Sequence, residues 1–471
     1  MRHRGFTTTA LAGVTALAAL CFCAGPATAL DAGEPPRPTA GPAPTSAPAS
    51  APALTPTSVP TPAAAPGAKA RPGAGHQVEA FAEDGTISRA QVPAASPFTA
   101  PQSLAGPAEG DGTVTQVVHN GTTAAKLDVV VIGDGYTAAE QGKFLADAAR
   151  KWQEITAVEP YTTYRALFNV WAVQAVSAQS GVSGDPDRAT KRETALGSYF
   201  WCEDTERLLC VDTAAVDRYA AKAPQADLVV VVANSAKYGG AGYNDVVSPL
   251  GYSGIATVSG GNDRSGQVAV HETGHSLGLL ADEYFYDGQG AYQGDEPSEA
   301  NSTTLTADQL RRTRTKWYRW LGRTSPDGGT VGAYEGGGYY PTGLYRPTDN
   351  SIMRSLGREF NLPGREAMIS GFYRYAATLA SPTPTTTLLT PADRLAVELP
   401  APGTRLRWYL DGRELTALRD RTDLPVGALH LTGPKHLRHR LTAVATDPTT
   451  AVIDPALRRD LTDTLSWEVT R

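Results

Sequence analysis

The sequence predicts an α/β domain, with a mixed sheet and a helix carrying paired histidines, followed by a C-terminal immunoglobulin-like β-sandwich. Three observations point there. Residues 127–132 and 228–232 are β-branched runs typical of buried strands, and each leads into a glycine-containing turn. His271 and His275 stand four residues apart, one helical turn. Beyond residue 380, short alternating stretches recur between turn signals, with tryptophans to fill a small core.

The chain opens with Arg2, His3 and Arg4, an apolar run over about residues 10–24, and the small-residue triplet Ala27-Thr28-Ala29. That is the pattern of a secretory signal peptide, so residues 1–29 are expected to be removed and the protein secreted. Cys21 and Cys23 fall inside this leader, and neither follows the small residue that a lipoprotein acceptor requires. No later apolar run is long enough to span a bilayer, so stable membrane insertion is not expected. Residues 30–75 are mostly Pro, Ala, Thr and Ser, a composition that buries too little apolar surface to fold and reads as a disordered linker. Residues 76–112 form an accessory or propeptide segment in which residues 77–92 alternate around Asp84-Gly85 as a hairpin.

The α/β region is expected over residues 113–380. Its first strand ends in Gly133-Asp134-Gly135, and a helix starts at Thr137 with Glu140 three residues on. A dinucleotide fingerprint would need a glycine where Ala138 stands, and no Gly-Lys-Ser follows, so this is an ordinary strand-to-helix turn. The second strand leads into Tyr238-Gly239-Gly240-Ala241-Gly242-Tyr243, where glycines either let an extended peptide approach an edge strand or simply make a flexible loop. Cys202 and Cys210 are the only cysteines after the leader, and in an oxidising compartment they should form one disulfide contributing about 2–4 kcal/mol.

The run His271-Glu272-Thr273-Gly274-His275 carries the chemistry. On a helix both imidazoles can face one metal ion, and Glu272, one step round, can reach a water on that ion as a general base without itself ligating. A hydrolytic zinc site needs a third protein ligand and an open fourth position. A continuing helix would carry Asp282 roughly 10 Å beyond His275, so the chain must turn, with Gly278 the expected place for a left-handed residue. The spacing resembles the metzincin pattern, but Ala281 stands where a third His or Asp would be. Asp282 is the first choice for that ligand, Glu283 and Glu335 are competitors, and the Asp282-Glu283-Tyr284 triplet also reads as a helix cap.

Several separated blocks share a further likeness. HETGHSLGLLADEY, DLVVVVANSAKYGGAGY before it, GAYEGGGYYPTGLYRPTDNSIMRSLGREF after it, and the upstream LDVVVIGDGYTAAEQGKF and FNVWAV resemble the IgA-specific metalloendopeptidase family of secreted bacterial zinc peptidases. The resemblance spans about residues 113–380 and implies a zincin-like fold, one catalytic zinc ion, His271 and His275 as ligands, and Glu272 as the catalytic carboxylate. It fixes neither the third ligand nor the substrate. Asn350-Ser351-Ile352-Met353 is similar to the methionine turn beneath the metal in metzincins, with gap-filling in the core as the alternative for Met353. Ser355 stands where such enzymes can carry a tyrosine for the oxyanion, leaving Tyr345 and Tyr284 as substitutes by proximity.

With 471 residues, 41% hydrophobic content and a net charge of -6, there is chain enough for two or three domains and no basic excess to suggest nucleic acid as a partner. Bound calcium is compatible with a secreted peptidase, but no spaced acidic loop is present to assign it to. The sandwich, residues 381–471, carries no catalytic constellation, and binding substrate or a cell surface fits it as well as buttressing. The sequence therefore points to a secreted zinc metalloendopeptidase acting on extracellular proteins or peptides. The alternative is an extracellular binding or adhesion protein that keeps a peptidase-like fold without turnover.

Overall fold

The computed structural model describes residues 75–100, 108–401, 403–434 and 436–471. The expected signal peptide and all of the expected linker but Gly75 lie outside these residues. The hairpin is present, with β1 (His76–Phe81) and β2 (Ile87–Val92) in antiparallel register and Gly85 at φ +86° in the turn. There follow β3 (Thr113–Val118), β4 (Leu127–Asp134), α1 (Gln141–Thr156), α2 (Tyr161–Tyr164), β5 (Phe168–Gln174), α3 (Thr213–Ala220), β6 (Leu228–Ala233), β7 (Gly240–Gly242), β8 (Ala256–Ser259) and α4 (Gly266–Ser276). The rest of this region is α5 (Ala307–Thr313), β9 (Tyr334–Gly337), β10 (Tyr340–Arg346) and α6 (Leu362–Tyr373).

Eight strands form one mixed sheet in the order β2-β1-β7-β8-β6-β4-β5-β3. β5, β4, β6 and β8 are parallel, while β7 runs antiparallel to β8, and β1 antiparallel to β7. The β-branched runs of β4 and β6 are buried on both faces, as parallel central strands must be. One face packs on α1, α4 and α6 through Trp152, Tyr161, Phe168 and Phe372, and the other on α3 and Tyr243, Tyr252 and Leu208. Buried Asp134 accepts from Leu196 N, Ser198 N and Thr194 Oγ1 and so anchors the following loops, while Glu140 caps the helix start by accepting from Thr137 N and Oγ1. Cys202 and Cys210 form the expected disulfide, with Cα atoms 6.0 Å apart.

The C-terminal region comprises β11 (Leu388–Leu389), β12 (Arg394–Ala396), β13 (Arg405–Leu410), β14 (Arg413–Glu414), β15 (Asp423–Pro425), β16 (Arg438–Thr446) and β17 (Thr462–Thr470). Five of these strands make a sheet in the order β11-β17-β16-β13-β14, and β12 pairs with β15. Alternation buries Leu406, Trp408, Leu441, Trp467 and Val469 in a core separate from the others. This region docks on α6: Tyr373 donates to Asp447 at 2.8 Å, and Glu366 Oε1 accepts from Ile453 N and Asp454 N. Among the described residues no helix is long and apolar enough to cross a membrane.

Candidate active site

β8 delivers the chain into α4, which is buried almost all round by Val268, Ala269 and Val270 together with its polar residues His271, Glu272 and Thr273. A helix so enclosed must satisfy its polar side chains internally. After Ser276 the chain reverses within four residues, as the sequence required. The left-handed residue is Leu279 (φ +50°), however, and not Gly278. Gly278 is needed for close packing instead, since a Cβ there would lie 2.7 Å from Gly274 O and 2.8 Å from Met368 Sδ.

This reversal returns Asp282 to the histidines. His271 Nε2 and His275 Nε2 stand 3.2 Å apart, and Asp282 Oδ1 lies 3.3 Å from the first and 3.4 Å from the second. A fourth group joins them from the N-terminal hairpin: Glu79 Oε2 is 2.9 Å from His271 Nε2 and 3.9 Å from His275 Nε2. Among the described residues these four side chains are the one His/Cys/Asp/Glu set able to hold a metal, with ligand atoms all within 4.8 Å of one another. Behind them, His271 Nδ1 donates to Ile352 O at 2.9 Å and His275 Nδ1 to Leu280 O at 2.7 Å. A proton committed to each Nδ1 leaves each Nε2 a lone pair facing inward, as a metal-binding histidine requires. Asp282 is steadied by Tyr339, whose hydroxyl donates to Oδ2 at 2.6 Å, while its Oδ1 is buried without a hydrogen-bond partner.

Four inward-facing acceptors repel unless a cation or protons sit among them. The electrostatics show that pull. Burial opposes charging His275, yet Asp282 and Glu79 overcome it and push its pKa up to about 9. Burial likewise raises Asp282, but the two histidines outweigh it and hold the carboxyl well below the usual range. Glu79 is raised by burial first and by the charge of Asp282 second. Glu272 stands beside the cluster with neither carboxylate oxygen hydrogen-bonded, and burial, then the charge of Glu79, push it up to about 8. Its carboxylate fits against β7 only because residue 242 is glycine, where a Cβ would lie 1.7 Å from Glu272 Cδ.

The two competitors for the third ligand go elsewhere. Glu283 is buried, but its carboxylate accepts from Asn301, Asn361 and Ser351, so it ties the 350–353 turn to the post-helix segment. Glu335 is exposed on β9, where Oε1 accepts from Gly343 N. Met353 is buried next to Ile352, whose carbonyl holds His271, so that turn does lie against the cluster. Of the tyrosines, Tyr284 reaches the site, donating to Glu79 Oε1 at 3.1 Å, whereas Tyr345 is paired through its backbone to Thr303. Glu79 and Tyr339 were not foreseen as site residues. Strand parity gave no signal for Glu79: in β1 it alternates with Gln77 and Phe81, while Val78 and Ala80 make the apolar face.

No curated protein matches the chain. The family model described as IgA peptidase M64 matches residues 115–328 and 323–372, more than half of the sequence, and takes in α4, Asp282 and the 350–353 turn. The chain belongs to the IgA peptidase M64 family and is a peptidase.

Proposed function

We propose that the protein is a secreted zinc-dependent endopeptidase of extracellular proteins, with His271, His275 and Asp282 as metal ligands and Glu272 as general base. The observation that carries this is the convergence of two Nε2 atoms and the unpartnered Asp282 Oδ1, with both Nδ1 protons drawn off to carbonyls. The donor set favours zinc over calcium. Ligand atoms around a tetrahedral zinc stand about 3.3 Å from one another, whereas calcium takes six to eight oxygens. The three separations among His271, His275 and Asp282 are 3.2, 3.3 and 3.4 Å.

His271, His275 and Asp282 would hold the zinc, which would supply a Lewis acid for the scissile carbonyl and for a water. Glu272, buried and free of hydrogen bonds, is placed to take the proton from the attacking water and pass it to the leaving amine. Tyr284 offers the hydroxyl nearest the cluster that is not committed to a proposed ligand, which makes it the candidate donor to the oxyanion. The disulfide and the leader-like N-terminus support secretion. The C-terminal sheets read as an immunoglobulin-like module that buttresses α6 and is available to bind substrate or a cell surface.

The test uses the Glu79→Ala chain, which clears the fourth side chain from the cluster. Stripping with a chelator should stop its hydrolysis of casein, and zinc should restore it. Adding Glu272→Ala should abolish hydrolysis with one zinc still bound per chain. Undiminished cleavage by that double variant would refute the role given to Glu272.

A further inference from the structure

Glu79 reaches the cluster from outside the region the family model matches, on the strand that lies along β7. β1 lies antiparallel along β7, and Glu79 pairs with Gly242, the residue against which the Glu272 carboxylate is packed. An extended peptide held for cleavage needs that same edge, with main-chain bonds to β7 and its scissile bond beside Glu272. A hydrolytic zinc site also keeps one coordination position free of protein, and four protein ligands make a closed, structural one. Glu79 brings the set here to four. Its second oxygen takes the Tyr284 hydroxyl as well, so one side chain engages both the cluster and the candidate oxyanion donor.

We infer, resting on the peptidase reading above, that the β1–β2 hairpin is an inhibitory element, filling the substrate's edge of the sheet and placing Glu79 in the coordination position that catalysis needs open. The fastening is extensive. Phe81 is buried edge-on to the His271 ring at 5.4 Å, Ala82 O accepts from Tyr238, and Gln77 N donates to Asp245. On the outer strand, Arg89 lies over the Tyr339 ring at 4.4 Å, and its backbone N–H donates to the Tyr286 hydroxyl. These contacts tie the hairpin to Tyr339, which supports Asp282, and to Tyr286 stacked on it, so it is built onto the site and is no loosely laid tail. A peptide substrate competes with it for one edge, and displacement of the hairpin is what opens the site.

The full zinc-loaded chain is compared with its Glu79→Ala and Glu79→Gln variants for zinc content, for binding of a peptide hydroxamate, a bidentate metal ligand, and for casein hydrolysis. Each chain should hold one zinc. Glu79→Ala should bind the hydroxamate at least about 100-fold more tightly than the parent, because apparent affinity scales with the fraction of open sites, and should gain casein hydrolysis. Glu79→Gln keeps shape and the bond to Tyr284 but ligates poorly, so it should fall between the two and reports even if the alanine variant folds badly. Equal hydroxamate binding by all three zinc-loaded chains overturns the inference, and if all three cleave casein the peptidase reading survives it. Tighter hydroxamate binding without hydrolysis supports both the occupancy by Glu79 and the hairpin's hold on the substrate's edge. Absence of zinc from all three overturns both.

Discussion

The acids of the C-terminal sheet and the acids around α4 are used in opposite ways. In the C-terminal region three of them are exposed and face arginines: Asp423 faces Arg394, Asp420 faces Arg405, and Glu468 faces Arg438. Around α4, Glu79, Glu272 and Asp282 are buried, face one another, and meet no arginine or lysine among the described residues. Exposed pairs gain at most about 1 kcal/mol and need no further explanation. Buried like charges persist only where a bound cation or retained protons compensate them, so the second arrangement marks a working site and the first a solvated surface.

The largest expected contrast comes from removing one acid at the site. Asp282→Ala should take hydrolysis to background, about 1,000-fold or more below the Glu79→Ala parent, and lower zinc occupancy, read by metal analysis and casein cleavage. Trp467→Ala, in the tail core, should do the reverse: a loss of about 3–5 kcal/mol in denaturant unfolding with zinc content unchanged. If that variant lost its zinc, the tail core would be shaping the metal site as well as the tail. Tyr284→Phe, measured in the Glu79→Ala chain, should lower kcat about 100-fold with zinc retained, and an unchanged kcat would remove Tyr284 as oxyanion donor.

The smallest effect separates an ordinary buried acid from the cluster. Burial pushes Asp227 up to about 6, although Asp128 N and Gln225 donate to it. A carboxyl with its folded pKa above its unfolded one stabilises fully below about pH 4, and that contribution is lost as pH rises through about 6. Unfolding free energy should therefore fall by about 2 kcal/mol between pH 4 and pH 7 on account of this group. Asp227→Asn should flatten that slope, and an unchanged profile would show that the residue keeps its solution pKa.

What could be read in the sequence was local. Two histidines a helical turn apart, β-branched runs at β4 and β6, the hairpin at Asp84-Gly85 and the Cys202–Cys210 pair are all set by spacing within a few residues, and the structure has each of them. Asp282 was reachable because a short reversal after α4 limits where the next acid can go. Glu79 was not, since nothing in a sequence period shows which strand joins an edge some 190 residues away, as its contact with His271 does. Tyr339 was hidden for another reason: it sits at φ +76°, a conformation costly for a tyrosine and stabilised only by its tertiary partners. The same holds for Leu279, where glycine next door was the obvious but mistaken choice.

Helix α6 has a consequence for anyone dissecting this enzyme. One of its faces supports the turn after the histidines, with Met368 under Gly278 and Arg374 bonded to Leu277 O, while Glu366 and Tyr373 on the same helix are anchored in the tail. A protein cut at residue 380 would strand a buried acid and a phenol at the root of the catalytic floor. The two halves are thus a single mechanical piece, and the tail is no detachable cassette.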